Sequence, residues 1–271
     1  MKAFRSRSRA VLLGLLLVAS TAEPQTRVEF ERQAPGSAVL RLQGILSKPE
    51  GQGPFPAAVL LCGCGGLNDA RDARQLTAWA ERLAGWGYVS LQVDSFGPRG
   101  FDRGICDRLY SLDDRQRSYD AYAARAFLAR QAFVDPERLA VIGWSHGGWT
   151  VLRLADAGRR DPAFPPFQAA IAFYPWCEDL RELGAPLLIL AGAKDEICPP
   201  SRCQALADLA GVKSSPYPFV VKQYPDAYHS FDQEGVEGQM SGKRFGYNRA
   251  ATEEAIVQVR DFLARHLKAG E

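Results

Sequence analysis

Leu139-Ala-Val-Ile-Gly-Trp-Ser-His-Gly-Gly148 is the stretch whose reading decides the fold. Four apolar residues, Leu139 to Ile142, read as a short buried strand, and from His146 to Ala157 the apolar spacing turns helical. Between them, Gly143 and Gly147 flank Ser145 two residues away on either side. A sharp strand-to-helix turn strains its central residue and leaves no room for side chains at those two positions. The serine hydroxyl then stands exposed at the carboxyl end of a sheet, over the positive end of the following helix. The five-residue pattern alone is weak, because glycine and serine are common. A strand before it and a helix after it make it specific. The competing reading is a glycine-rich turn with a capping serine.

Outward from this stretch, short runs rich in Val, Ile and Leu alternate with longer segments of helical periodicity, the pattern of an α/β protein with a mostly parallel sheet covered by helices on both faces. The strands predicted are Ala38 to Leu46, Ala57 to Leu61, Tyr88 to Val93, Leu139 to Ile142, Ala169 to Phe173, Leu187 to Ala191 and Phe219 to Tyr224. The helices predicted are Asp72 to Gly85, Asp114 to Ala132, His146 to Ala157, Ser201 to Leu209 and Asn248 to Leu267. The longest stretch without periodicity, Ser95 to Leu112, is rich in Gly, Arg and Asp, and such a loop in a compact domain often belongs to a binding site.

A serine hydroxyl is a poor nucleophile at neutral pH and needs a neighbouring base, most often histidine. The chain has three histidines. The side chain of His146 should point away from Ser145 on the tight turn, and His266 lies in the last turns of the C-terminal helix. His229 remains, in the loop Gln223-Tyr-Pro-Asp-Ala-Tyr-His-Ser-Phe-Asp232 after the last predicted strand. A lone loop histidine is ordinarily a packing or surface residue; elimination and position favour the base. The orienting acid is then Asp195, in the turn that ends Pro186-Leu-Leu-Ile-Leu-Ala-Gly-Ala-Lys-Asp195, with Glu196 and Asp226 as rivals and a solvated carboxylate as the bland reading of all three. Donors for a developing oxyanion are normally backbone NH groups. His146, directly after the nucleophile, supplies one, and the glycine-rich turn Leu60-Leu-Cys-Gly-Cys-Gly-Gly66 supplies the other, from Cys64 or, one residue earlier, Gly63.

With 46% hydrophobic and 24% charged residues, the composition is that of an ordinary globular protein and excludes disorder and fibrous repeats. At the N-terminus, Lys2, Arg5, Arg7 and Arg9 precede the apolar run Ala10 to Ala19, which ends in Ser20-Thr21-Ala22. Residues 1–22 therefore read as a signal peptide, the apolar run being about half of the ~20 residues a membrane span needs; an uncleaved anchor is the competing reading. The domain is placed at 23–271. Taking four basic residues from the 33 leaves 29 against 31 acidic ones, a near-neutral mature protein without an electrostatic footprint for nucleic acid or anionic membrane. No stable membrane association is expected after cleavage, and the location is periplasmic or secreted.

Six cysteines in an exported chain permit up to three disulfides. Cys177 and Cys203 should lie at the carboxyl ends of adjacent strands, so Cys177 is paired with Cys203, or alternatively Cys198. Cys106 is the weaker expectation, reaching Cys62 or Cys64. No metal site is expected, since no cysteine pair has a zinc ribbon's spacing or a histidine beside it.

Through these segments the chain resembles the dienelactone hydrolase family of α/β-hydrolases. The likeness is carried by Leu60-Leu-Cys-Gly-Cys-Gly-Gly-Leu67, Val93-Asp-Ser-Phe-Gly-Pro-Arg-Gly100, Val141-Ile-Gly-Trp-Ser-His-Gly-Gly148, Ala193-Lys-Asp195 and Tyr228-His-Ser-Phe231. The resemblance implies an eight-stranded, mostly parallel sheet, no cofactor and a triad of Ser145, Asp195 and His229. Two departures stand out: Ser145 occupies the position of the family's cysteine nucleophile, and Cys62 that of a histidine in the oxyanion turn. The expected activity is hydrolysis of a small-molecule ester or lactone through an acyl-enzyme. Arg99 and Arg103, in the irregular loop, are candidates for holding a substrate carboxylate, against the bland reading of solvated arginines. Rival functions are an exported serine peptidase on the same fold and a silent binding protein; the oligomeric state is left between monomer and homodimer.

Overall fold

The computed structural model describes residues 25–267. Eight strands make one sheet in the order β1-β2-β4-β3-β5-β6-β7-β8, where β1 is Thr26–Arg32, β2 Leu40–Ser47, β3 Phe55–Leu61, β4 Val89–Asp94, β5 Val134–Trp144, β6 Ala169–Phe173, β7 Leu187–Gly192 and β8 Phe219–Tyr224. β1 and β2 are antiparallel to their neighbours, and the strands from β4 to β8 run parallel. Consecutive side chains of a strand face opposite ways. Accordingly, Ala57, Val59 and Leu61 join one core with Tyr122, Leu128, Val151 and Leu154. Ala58 and Leu60 join the other, with Leu76, Trp79, Val259 and Leu263. The first core is closed by helices α2 (Asp114–Ala129) and α3 (His146–Ala155), the second by α1 (Ala70–Gly85) and α6 (Arg249–His266). Strands buried on both faces are why the sequence shows continuous apolar runs there.

Several boundaries move for local reasons. β1 is absent from the sequence reading because its buried residues are only Phe30 and Arg32, with the exposed charges of Glu29 and Glu31 beside them. β5 begins at Val134, earlier than expected, through Pro136, where its pairing with β3 also shifts register. α1 starts at Ala70, earlier than expected, because Asp69 caps it by accepting from the NH groups of Arg71 and Asp72. The predicted helix Ser201 to Leu209 is α4 (Pro200–Leu206), which stops earlier than expected, and a separate short helix, α5 (Ala210–Lys213), follows it. A second, two-stranded sheet, β9 (Glu237–Met240) with β10 (Lys243–Gly246), was not anticipated and lies against the His229 loop through a bridge from His229 to Phe245.

Disulfides join Cys177 to Cys203 and Cys64 to Cys106, while Cys62 and Cys198 are buried free thiols. The signal-peptide reading of residues 1–22 lies outside the described residues, and no described helix is long and apolar enough to cross a membrane.

Candidate active site

The turn between β5 and α3 has the strain its glycines imply. Ser145 adopts φ 51° and ψ −111°, a conformation that a residue with a side chain holds only when its surroundings enforce it. Here Ser145 N donates to Phe173 O at 2.9 Å, and Ser145 O accepts from Trp149 N at 2.9 Å. A Cβ on Gly143 would collide with the Gly147 carbonyl, and one on Gly147 with the Leu61 carbonyl at the end of β3. The glycines thus let the helix start press against the two central strands.

Ser145 Oγ lies 3.0 Å from His229 Nε2, and His229 Nδ1 lies 2.7 Å from Asp195 Oδ2. The other carboxylate oxygen of Asp195 accepts from the NH groups of Ile197 and Cys198 at 2.9 and 2.8 Å. A carboxylate only accepts, so Nδ1 carries the hydrogen and Nε2 is left to accept from the serine. Burial works most strongly against an imidazolium at His229, but the Asp195 carboxylate and the neighbouring Cys198 together raise the pKa above the ordinary imidazole value. The rival acids are elsewhere: Glu196 is exposed, and Asp226 pairs with Lys194 at 2.8 Å.

His146 has the reverse setting. The fully buried Arg117 donates from Nη1 to His146 Nδ1 at 2.9 Å and from Nη2 to Cys62 O at 3.1 Å, and its guanidinium lies over the Phe96 ring. Arginine only donates, so Nδ1 accepts, and the hydrogen on Nε2 is donated to Leu109 O at 3.0 Å. Burial together with the Arg117 charge pushes the pKa of His146 down to about 3. Its backbone NH, first in α3, is among those without an intrahelical acceptor. Cys64 lines the cleft over Ser145, and its carbonyl accepts from Ile105 N at 2.8 Å beside the bond to Cys106.

Beneath the cleft is a polar cluster that sequence reasoning missed. Asp232 accepts from Trp79 Nε1, Trp144 Nε1, Tyr174 Oη and Gln75 Nε2 at 2.6–2.9 Å, tying the His229 loop to the sheet and α1. Tyr174, at φ 36°, packs its ring 4.6 Å from that of His229. Asp72 accepts from Gly65 N at 3.1 Å and from Gln233 Nε2 at 3.0 Å; burial, with the charge of Asp69, pushes its pKa up to about 6. The only sequence hint was Asp232 closing the segment that holds His229.

The two arginines chosen from the irregular loop are not at the cleft. Arg99 makes a two-pronged pair with Asp120 at 2.8 and 2.9 Å and donates to Ser95 O, which turns it toward β1 and α2. Arg103 is exposed and does not line the cleft. The arginine that does is Arg71, paired with Asp69 at 3.0 Å. Among the described residues no group of three His, Cys, Asp or Glu side chains converges on a point that would suit a metal ion.

The sheet order, the strained serine turn and the loop positions of Asp195 and His229 define the class as an α/β-hydrolase fold. The profile of the dienelactone hydrolase family matches residues 42–267, and the chain belongs to that family. An uncharacterized protein of Mycobacterium tuberculosis is 30% identical over 211 residues, covering 70% of this chain and 67% of that protein. A segment is 40% identical over 83 residues to a probable dipeptidyl-aminopeptidase B of Fusarium vanettenii, covering 28% of this chain; the match spans only 9% of the fungal protein. Among solved structures, a dienelactone hydrolase-like promiscuous phosphotriesterase from metagenomic libraries superimposes with a TM-score of 0.69 at 22% identity, covering 90% of this chain and 99% of its own.

Proposed function

We propose that the protein hydrolyses a carboxylic ester or lactone through an acyl-enzyme on Ser145. The observation that carries this reading is the hydrogen-bonded chain from Ser145 Oγ through His229 to Asp195, at the floor of an open cleft. Ser145 Oγ attacks the carbonyl carbon while His229 Nε2 takes its proton. The NH groups of His146 and Cys64 face the oxyanion; the leaving oxygen then takes the proton from Nε2, and water repeats the steps to release the acid. Asp195 fixes the tautomer and stabilises the imidazolium. No step calls on a cofactor.

The similarity to a dipeptidyl-aminopeptidase segment favours one second reading, cleavage of a peptide by the same groups. We place the protein in an oxidising compartment, periplasmic or secreted, on the basic, apolar and small-residue sequence of its first 22 residues and on its two disulfides.

The test is reaction with a fluorophosphonate followed by peptide mapping, alongside turnover of a small ester and a matched peptide amide. The expected result is one adduct, on Ser145, with the ester turned over faster. An adduct elsewhere contradicts the mechanism, and faster amide turnover selects the peptidase.

A further inference from the structure

Ser145 sits where two compartments of different chemistry meet, and Cys64, Ser145, Ile197 and Met240 line both. The larger, about 250 Å³, is faced by His229 together with Arg71, Asp72, Gln75, Gln233 and Gln239. The smaller, about 120 Å³, is faced by Leu109, Tyr110, Trp149 and Trp176, and His229 is not among its walls. Tyr110 is 73% exposed and Leu109 37%, large apolar side chains left uncovered beside the nucleophile.

The position of His229 sets the direction of the substrate. In acyl transfer the leaving oxygen must receive the proton held on Nε2, so the alcohol part of an ester lies on the His229 side and the acyl part on the other. We infer that the substrate is an ester joining a small apolar or aromatic acyl group, held among Tyr110, Trp149 and Trp176, to a neutral polyhydroxy alcohol held among Asp72, Gln75, Gln233 and Gln239. This rests on the acyl-transfer reading and deepens it.

Each half follows from its walls. An apolar cavity of ~150 Å³ takes one benzene-sized ring, so the smaller compartment suits a single ring or a short branched chain, not a long acyl chain. On the other side, the Asp72 carboxylate and the amide oxygens of Gln75 and Gln233 accept hydrogen bonds, while the amide hydrogens of the latter two are held within the polar cluster; the Gln239 amide both donates and accepts, and the set matches hydroxyl groups. The cation there, Arg71, is neutralised by Asp69, so the compartment does not select a substrate anion. The Tyr174 and Phe245 rings give the same compartment flat apolar faces, which suit the C–H surfaces of a polyol. In the reaction the Ser145 Oγ–acyl bond forms and the acyl–alcohol C–O bond breaks. The alcohol leaves with the proton from His229 Nε2, and water then releases the acid and restores the serine.

The test measures kcat/KM of the purified protein for glyceryl benzoate, for benzyl glycerate, which exchanges the two halves, and for methyl benzoate, glyceryl acetate and glyceryl decanoate. Glyceryl benzoate should exceed benzyl glycerate and glyceryl decanoate by about tenfold or more, and methyl benzoate by about threefold or more. Tyr110→Ala and Trp176→Ala should each lower the benzoate-to-acetate ratio, and Gln239→Leu the glyceryl-to-methyl ratio. A preference for benzyl glycerate, or ratios that none of the three variants moves, overturns the inference. If a fluorophosphonate labels Ser145 and none of the esters is turned over, the substrate class is wrong and acyl transfer stands; absence of labelling removes both.

Discussion

His146 and His229 lie on either side of Ser145, both withdrawn from solvent, and their neighbours differ in sign. His229 faces the Asp195 carboxylate, which fixes the hydrogen on Nδ1 and raises the pKa. His146 faces the Arg117 guanidinium, which fixes the hydrogen on Nε2 and lowers the pKa to about 3. Burial alone would disfavour the charged form of both. Under the proposed mechanism the partner decides the role: His229 takes the proton from the serine, and His146, neutral, is a strut holding Leu109, and with it the wall that carries Tyr110, against the serine turn.

The comparison is broken most severely at the atom both histidines flank. Ser145→Ala should lower ester turnover by about 10⁴-fold or more with an unchanged thermal transition, since it removes one partly exposed hydroxyl; wild-type turnover contradicts the whole account. Asp195→Asn should lower kcat by up to about 10⁴-fold, because the amide can hold His229 in the wrong tautomer. The same variant tests the sign of the pKa shift. The base must be neutral to act, so wild-type kcat/KM should rise with pH through a midpoint above the ordinary imidazole value of 6.5. Asp195→Asn should move that midpoint downward, because the charge that favours the imidazolium is gone; a profile that does not move contradicts the assignment.

On the other side, Arg117→Leu leaves His146 Nδ1 and Cys62 O without their donor. It should cost about 1–3 kcal/mol of stability, read as a fall of several degrees in Tm, with less than tenfold loss of turnover on methyl benzoate. A loss as large as that of Asp195→Asn would give His146 a part in the chemistry. Glu196→Gln, an exposed neighbour of the acid, should change turnover by no more than about twofold.

The serine turn was legible because strain, glycine spacing and the switch from strand to helix all fall within ten consecutive residues. Asp195 and His229 were reachable by elimination, since the chain holds few histidines and the acid ends a buried apolar run. Arg117, Asp232 and Asp72 were not, because each has a decisive partner far along the chain, 29, 88 and 161 positions away, and sits in a helix or loop whose local pattern gives no sign of it. The β9–β10 hairpin escaped for another reason: its short strands are half-exposed, so no apolar alternation marks them. The irregular loop suggests a binding role for Arg99 and Arg103, but Asp120 captures the first and solvent the second.

The central claim is that charge partners, not proximity, make His229 the base and His146 the strut. It is tested most directly by the rate at which a fluorophosphonate labels Ser145 in His229→Asn and in His146→Asn, with intact mass spectrometry as the readout. The account predicts a loss of about 10³-fold or more for His229→Asn and less than about tenfold for His146→Asn. Equal losses, or the larger loss in His146→Asn, would contradict it.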